Sequence, residues 1–65
     1  MRKIRLKELR EEKGLSQEQL AKEIDFKPNT ISNWERGTRE PDFNTIEKLC
    51  KIFDVTAGYL LGIEE

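Results

Sequence analysis

Histidine is absent from this 65-residue chain, and cysteine occurs once, at Cys50. One thiol cannot close a disulfide within the chain, and a zinc site of the usual cysteine and histidine type has too few ligands. No histidine-centred catalytic arrangement is possible. No glycine-rich phosphate loop or paired-carboxylate pocket is visible either, so enzymatic activity is not expected. No cofactor, metal or effector site is readable. No apolar run approaches the ~20 residues that span a bilayer. The opening residues Met1-Arg2-Lys3-Ile4-Arg5 are basic and lead into a charged amphipathic stretch rather than an apolar signal core. The expectation is a soluble chain in a reducing, cytoplasmic setting. No segment alternates polar and apolar residues as a half-buried strand does, and there is no repeat or low-complexity stretch.

The length implies one domain, 1–65, around one small core. Chains of this size bury only about 60% of their unfolded surface. A second copy of the chain is one way to add stability.

The net charge of −1 is unlike that of a strongly basic nucleic-acid binder. Its distribution is more informative. Residues 1–13 carry six positive and three negative charges, net +3, and residues 14–25 carry one and three, net −2. Residues 26–39 carry three and one, net +2, and residues 40–65 carry two and six, net −4. A basic edge on an acidic body can still meet phosphate, with weak non-specific binding.

Helix signals fill the chain. The spacing predicts a first helix from about Arg2 to Lys13, with Leu6, Leu9, the stem of Arg10 and Lys13 on one face. Gly14 stops it, since glycine takes a left-handed conformation at no steric cost. A second helix opens on the capping box Ser16-Gln17-Glu18-Gln19, with Leu15 and Leu20 as its hydrophobic staple. Leu20, Ala21 and Ile24 form its buried face, and it ends near Ile24. A third helix starts with Pro28 at its first position, where the missing N–H costs nothing. Ile31 and Trp34 face inward, and Gly37 ends it. A fourth helix is capped by Asp42, with Ile46, Leu49, Cys50 and Phe53 as its stripe. Thr56 caps a short fifth helix that Gly62 ends. The expected fold is all-α, with five helices joined by short connections.

From Gln17 onward, apolar residues fall at the fourth, eighth, tenth, fifteenth and eighteenth places: Leu20, Ile24, Phe26, Ile31 and Trp34. The fifth place is the small Ala21. Two helices crossing steeply need a small residue at the contact and large apolar residues around it. The tight turn between them is Asp25-Phe26-Lys27. The run from Leu6 through Lys13-Gly14-Leu15-Ser16-Gln17 to Leu20-Ala21 leads on to Thr30-Ile31-Ser32-Asn33-Trp34-Glu35-Arg36-Gly37 and Glu40-Pro41. Together these resemble the Cro/C1-type, or Xre, helix-turn-helix family over about Leu6 to Leu61, with the motif at about Ser16 to Gly37.

The resemblance implies a lambda-repressor-like domain acting as a sequence-specific transcriptional regulator, of repressor type, on double-stranded DNA. The motif's second helix crosses the DNA backbone, and the third lies in the major groove. The implied base-reading set is Pro28, Asn29, Thr30, Ser32 and Asn33. Asn29 and Asn33 match adenine's donor–acceptor edge, Thr30 can touch a thymine methyl or a phosphate, and Pro28 offers apolar contact only. Gln17, at a helix start that favours anions, would hold phosphate together with Lys27, Arg36, Thr38 and Arg39. Arg10 and Glu35 match positions that form a partly buried ion pair in the family; both lie on or beside apolar faces here. A homodimer on DNA is expected, with Tyr59, Leu60, Leu61 and Ile63 as its candidate contact.

Two positions depart from the family pattern. Asp25 stands where glycine is usual, in a turn that needs left-handed backbone, and Lys27 stands where a serine or threonine cap is common. The base-reading set is therefore an uncommon one. Beside these readings stand plainer ones. Trp34, three residues after Ile31, reads as core rather than a stacking platform. Cys50 reads as a small buried residue rather than a redox sensor. The N-terminal charge run fits either a solvated helix face or phosphate contact. The acidic final third leaves room for a different function, a protein-interaction module on the same fold.

Overall fold

The computed structural model describes residues 4–64. It contains α1 (Leu6–Glu12), α2 (Gln17–Ile24), α3 (Pro28–Arg36), α4 (Phe43–Phe53) and α5 (Ala57–Leu60). Among the described residues there is no strand. The all-α, five-helix architecture expected from the sequence is the one observed.

Each helix contributes one aliphatic side chain to a common centre. Leu6, Leu20, Ile31, Leu49 and Leu60, one from each of the five, are all fully inaccessible to solvent. Burying a leucine or isoleucine contributes roughly 1.5–3 kcal/mol, so these five residues alone bind the helices to one another. Leu9, Ala21, Ile24 and Trp34 complete the buried cluster. Half-buried Ile4, Leu15, Ile46, Cys50, Ile52, Phe53, Val55 and Tyr59 pack around it.

The helix boundaries follow from local chemistry. Ser16 Oγ accepts from the Gln19 amide at 3.0 Å, and Gln19 Oε1 accepts from the Ser16 amide at 2.8 Å, closing the capping box of α2. Asp42 caps α4 by accepting from the Thr45 amide at 2.8 Å, and Thr56 caps α5 through the Tyr59 amide at 3.1 Å. Lys27, before α3, makes no side-chain cap; Pro28 sets that start. Beyond every helix stands a residue with positive φ: Gly14, Asp25, Gly37, Asp54 and Gly62. After α2 the Phe26 amide returns to the Ala21 carbonyl at 2.8 Å, and after α3 the Thr38 amide returns to the Asn33 carbonyl at 3.1 Å. These are the six-to-one bonds of a Schellman ending, which satisfy otherwise orphaned carbonyls.

Three expectations are corrected. Helix α1 begins at Leu6, not near Arg2; Arg2 and Lys3 lie outside the described residues. The cause is Arg5. Its amide donates to the Leu60 carbonyl at 2.8 Å and its Nε to the Tyr59 carbonyl at 2.9 Å, while its guanidinium sits 4.5 Å from the centre of the Tyr59 ring. These interactions tie Arg5 to α5 and leave it with non-helical backbone (ψ 16°). Lys13 is exposed rather than part of the α1 apolar face, because the helix ends at Glu12. Cys50 is only half-buried, since the stripe of α4 is covered fully at Leu49 and partly at its margins. Burial, and then the charge of Glu47, still pushes the Cys50 thiol above its ordinary pKa.

Candidate nucleic-acid interface

Helix α3 is divided along its length. Ile31 and Trp34 are 0% and 4% exposed, which fixes its inner face. The Trp34 ring meets Phe26 edge-on, with centroids 5.2 Å apart, and so locks the turn between α2 and α3 onto the helix that follows. Pro28 and Asn29 are exposed at the start of α3, while Thr30, Ser32 and Asn33 are half-buried. Lys27, Arg36, Thr38 and Arg39 are exposed at its two ends. At a rise of 1.5 Å per residue the nine residues of α3 form a rod of roughly 13 Å.

The turn that sets α3 against α2 runs through Asp25, whose φ of 62° and ψ of 47° are left-handed. The left-handed backbone expected there is observed, and Asp25 supplies it in place of glycine. Asparagine and aspartate visit this region more readily than other side-bearing residues.

One carboxylate joins three helices. Arg10 of α1 donates from Nε to Glu35 Oε2 at 2.6 Å and from Nη2 to Oε1 at 3.3 Å. Its Nη1 donates to the Leu15 carbonyl at 2.8 Å, in the loop that enters α2. Gln17 of α2 donates from Nε2 to Glu35 Oε1 at 3.0 Å. The Arg10 and Glu35 side chains are 10% and 6% exposed. Hydrogen bonding to Glu35 raises the Arg10 pKa further, against the opposing effect of burial. The link from Gln17 to Glu35 was not foreseen, because the α2 start was read only as an anion site. The Gln17 amide thus spends one of its N–H groups on Glu35.

The far end of α3 carries a second unforeseen cluster. Arg36 Nη2 donates to Asn33 Oδ1 at 2.5 Å. Thr38 Oγ1 lies 3.1 Å from the Asn33 main-chain carbonyl and 3.3 Å from Oδ1. The three-residue spacing of Asn33 and Arg36 places them on one face of the helix, a signal present in the sequence. The part of Thr38 depends on the Schellman turn, which no spacing rule conveys.

The candidate dimer residues are placed unevenly. Leu60 is fully buried in the core and cannot meet a partner, which removes it from the expected contact. Tyr59 and Leu61 are half-buried, Tyr59 beneath Arg5, and Ile63 is 68% exposed. Among the described residues no helix is long and apolar enough to cross a membrane.

Five helices around one core, with a capped α2, a left-handed turn and an α3 polar on its outer face, define a helix-turn-helix fold. The chain belongs to the Cro/C1-type helix-turn-helix family, which it matches over residues 6–60. It is 41% identical over 61 residues to the HTH-type transcriptional regulator ImmR of Bacillus subtilis, across 94% of this chain and 48% of that protein. It is 36% identical over 61 residues to the cryptic phage CTXphi transcriptional repressor RstR of Vibrio cholerae, covering 94% of this chain and 55% of that protein. It is 39% identical over 61 residues to the HTH-type transcriptional activator BcrR of Enterococcus faecalis, covering 94% and 30%. The chain thus spans half or less of the length of two of these relatives and slightly more than half of the third.

Proposed function

We propose that the chain is the DNA-reading part of a transcriptional regulator of repressor type, with α3 in the major groove of double-stranded DNA. The observation that carries this is the division of α3: an inner face buried to 4% or less at Ile31 and Trp34, and a polar outer face between cationic ends. With its side chains an α-helix is about 10–12 Å across, which fits a major groove about 12 Å wide. Pro28, Asn29, Thr30, Ser32 and Asn33 are the base-facing set. Lys27, Arg36, Thr38, Arg39 and Gln17 hold phosphates and set orientation. Relatives that bear the words repressor and regulator support the reading.

The longest dimension of the structure is 27 Å. Helix-turn-helix half-sites are about 34 Å apart, so one copy covers one half-site and a homodimer reads two. Of the candidate contact residues, half-buried Tyr59 and Leu61 and exposed Ile63 are left for that contact. Such a regulator works in the cytoplasm, where its DNA is.

Binding-site selection from a random duplex pool tests the reading. Enrichment of a two-fold symmetric site supports a dimeric regulator, and a single half-site supports reading by one copy. The salt dependence is set by the cations. Lys27, Arg36 and Arg39 give about three neutralised phosphates per copy, hence a slope of log K against log salt near −3 per copy. A folded chain with no enriched site and no salt dependence overturns the proposal in favour of a protein-interaction module.

A further inference from the structure

Asn33 reaches the outer face of α3 with its amide oxygen already engaged. Arg36 donates to Oδ1 at 2.5 Å, and the Thr38 hydroxyl stands 3.3 Å from the same atom. A guanidinium has donors only, so its position fixes which end of the Asn33 amide turns toward it: the oxygen. That oxygen has two lone pairs: Arg36 meets one, and the Thr38 hydroxyl, whose single hydrogen it shares with the nearer Asn33 main-chain carbonyl at 3.1 Å, stands by the other. The NH2 group remains, with donors and no acceptor.

This changes what Asn33 can read. Pairing with adenine needs an acceptor for the N6 amino group and a donor for N7. Asn33 supplies only the second. Guanine shows two acceptors in the major groove, N7 and O6, and no donor. Asn29, exposed at the start of α3, makes no side-chain hydrogen bond among the described residues and keeps both halves of its amide. The sequence alone assigns both asparagines to adenine; the structure separates them.

We propose that Arg36 and Thr38 make Asn33 a donor-only reader that selects guanine over adenine at its base pair, while Asn29 retains adenine-reading capacity. The inference rests on α3 lying in the major groove.

The experiment is binding-site selection on the intact chain and four variants. Asn33→Ala locates the base pair, as the position whose preference it erases. Thr38→Val removes the hydroxyl at constant shape, Arg36→Met removes the guanidinium, and the fourth variant combines the two; circular dichroism checks that each is folded. The wild type is expected to prefer guanine to adenine there by about tenfold, the discrimination of one good base contact. Replacing that guanine with 7-deazaguanine should weaken wild-type binding, because N7 no longer accepts. The double variant should lose the preference and move toward adenine, and Thr38→Val should move part of the way if the double variant does not fold. A ratio between bases is read, so any phosphate-binding role of Arg36, which acts uniformly across sequences, cancels. Adenine at that position in the wild type overturns the proposal, as does no position that depends on Asn33, or an unchanged ratio in the folded variants. No enriched sequence at all from the folded wild type overturns instead the groove reading beneath it.

Discussion

Removing Arg10 while leaving Glu35 in place strands a carboxylate that is 6% exposed. Arg10→Met keeps most of the stem that packs beside Leu6 and Leu9 but deletes three hydrogen bonds, two to Glu35 and one to the Leu15 carbonyl. Breaking a buried pair from one side costs about 3–5 kcal/mol. The residual 10% and 6% exposures let water reach the site, so the lower end, about 3 kcal/mol, applies here. A domain of 65 residues has a total stability of roughly 3–10 kcal/mol. A loss of about 3 kcal/mol lowers the melting temperature by about 12–24 °C. Thermal and urea unfolding, followed by Trp34 fluorescence and far-ultraviolet circular dichroism, measure it directly. Because the pair is shielded, the loss should persist in 1 M salt, where exposed pairs are screened. Arg10→Leu combined with Glu35→Leu should cost less than either single change, since no charge is left unpaired. A single-variant loss below about 1 kcal/mol, the range of surface pairs, would refute the reasoning and make the pair a solvated contact.

Asp25→Gly should leave stability unchanged or raise it by up to about 1 kcal/mol, because φ at 62° suits glycine better, whereas Asp25→Val should lower it; a clear drop in melting temperature for the glycine variant would contradict the turn geometry. The Asp42 carboxyl is held below its ordinary pKa by hydrogen bonds from the Thr45 side chain and amide. Its contribution is therefore complete above the unfolded aspartate pKa and disappears as pH falls through the lower folded value. Melting temperatures measured from pH 6 down to pH 2 should show an acid-limb decline that is shallower in Asp42→Asn. The Cys50 thiol, raised by burial, should react with a disulfide reagent at neutral pH more slowly than a free thiol and accelerate in urea; equal rates would mean that its environment is not desolvated.

The ends of the helices were legible because their causes are local. Ser16 and Gln19, Asp42, Thr56 and Gly37 act within a few residues of themselves, and the structure uses each as expected. Asp25 was legible through the family pattern. Asp54, left-handed after α4 at φ 55°, was not, since no glycine or motif marks that place. The start of α1 was misjudged for the opposite reason. Local propensity favours helix through Arg2-Lys3-Ile4-Arg5, but Arg5 answers to Tyr59, 54 residues away. The buried faces of α2 and α3 were readable from periodicity. The direction of the Asn33 amide is set by the donor-only Arg36 three residues on, a spacing the sequence carries, whereas the approach of Thr38 depends on the turn beyond the helix end.

Glu35 also bears on why an ion pair is kept where apolar residues could serve stability as well. Its carboxylate receives Arg10 from α1 and Gln17 from the first turn of α2, and it belongs itself to the base-facing helix. The start of α2 is the proposed phosphate anchor, and the outer face of α3 the proposed base reader. One side chain therefore sets the distance between positioning and reading. An apolar replacement can fill the volume but has no hydrogen bonds with which to hold Gln17. The combined Arg10→Leu and Glu35→Leu variant should therefore stay folded and yet discriminate poorly. Its ratio of affinity for the selected site over random DNA should fall about tenfold or more, with random-DNA affinity little changed. Competition binding at fixed salt separates the two quantities. An unchanged ratio in a folded double variant would leave the pair a role in stability alone.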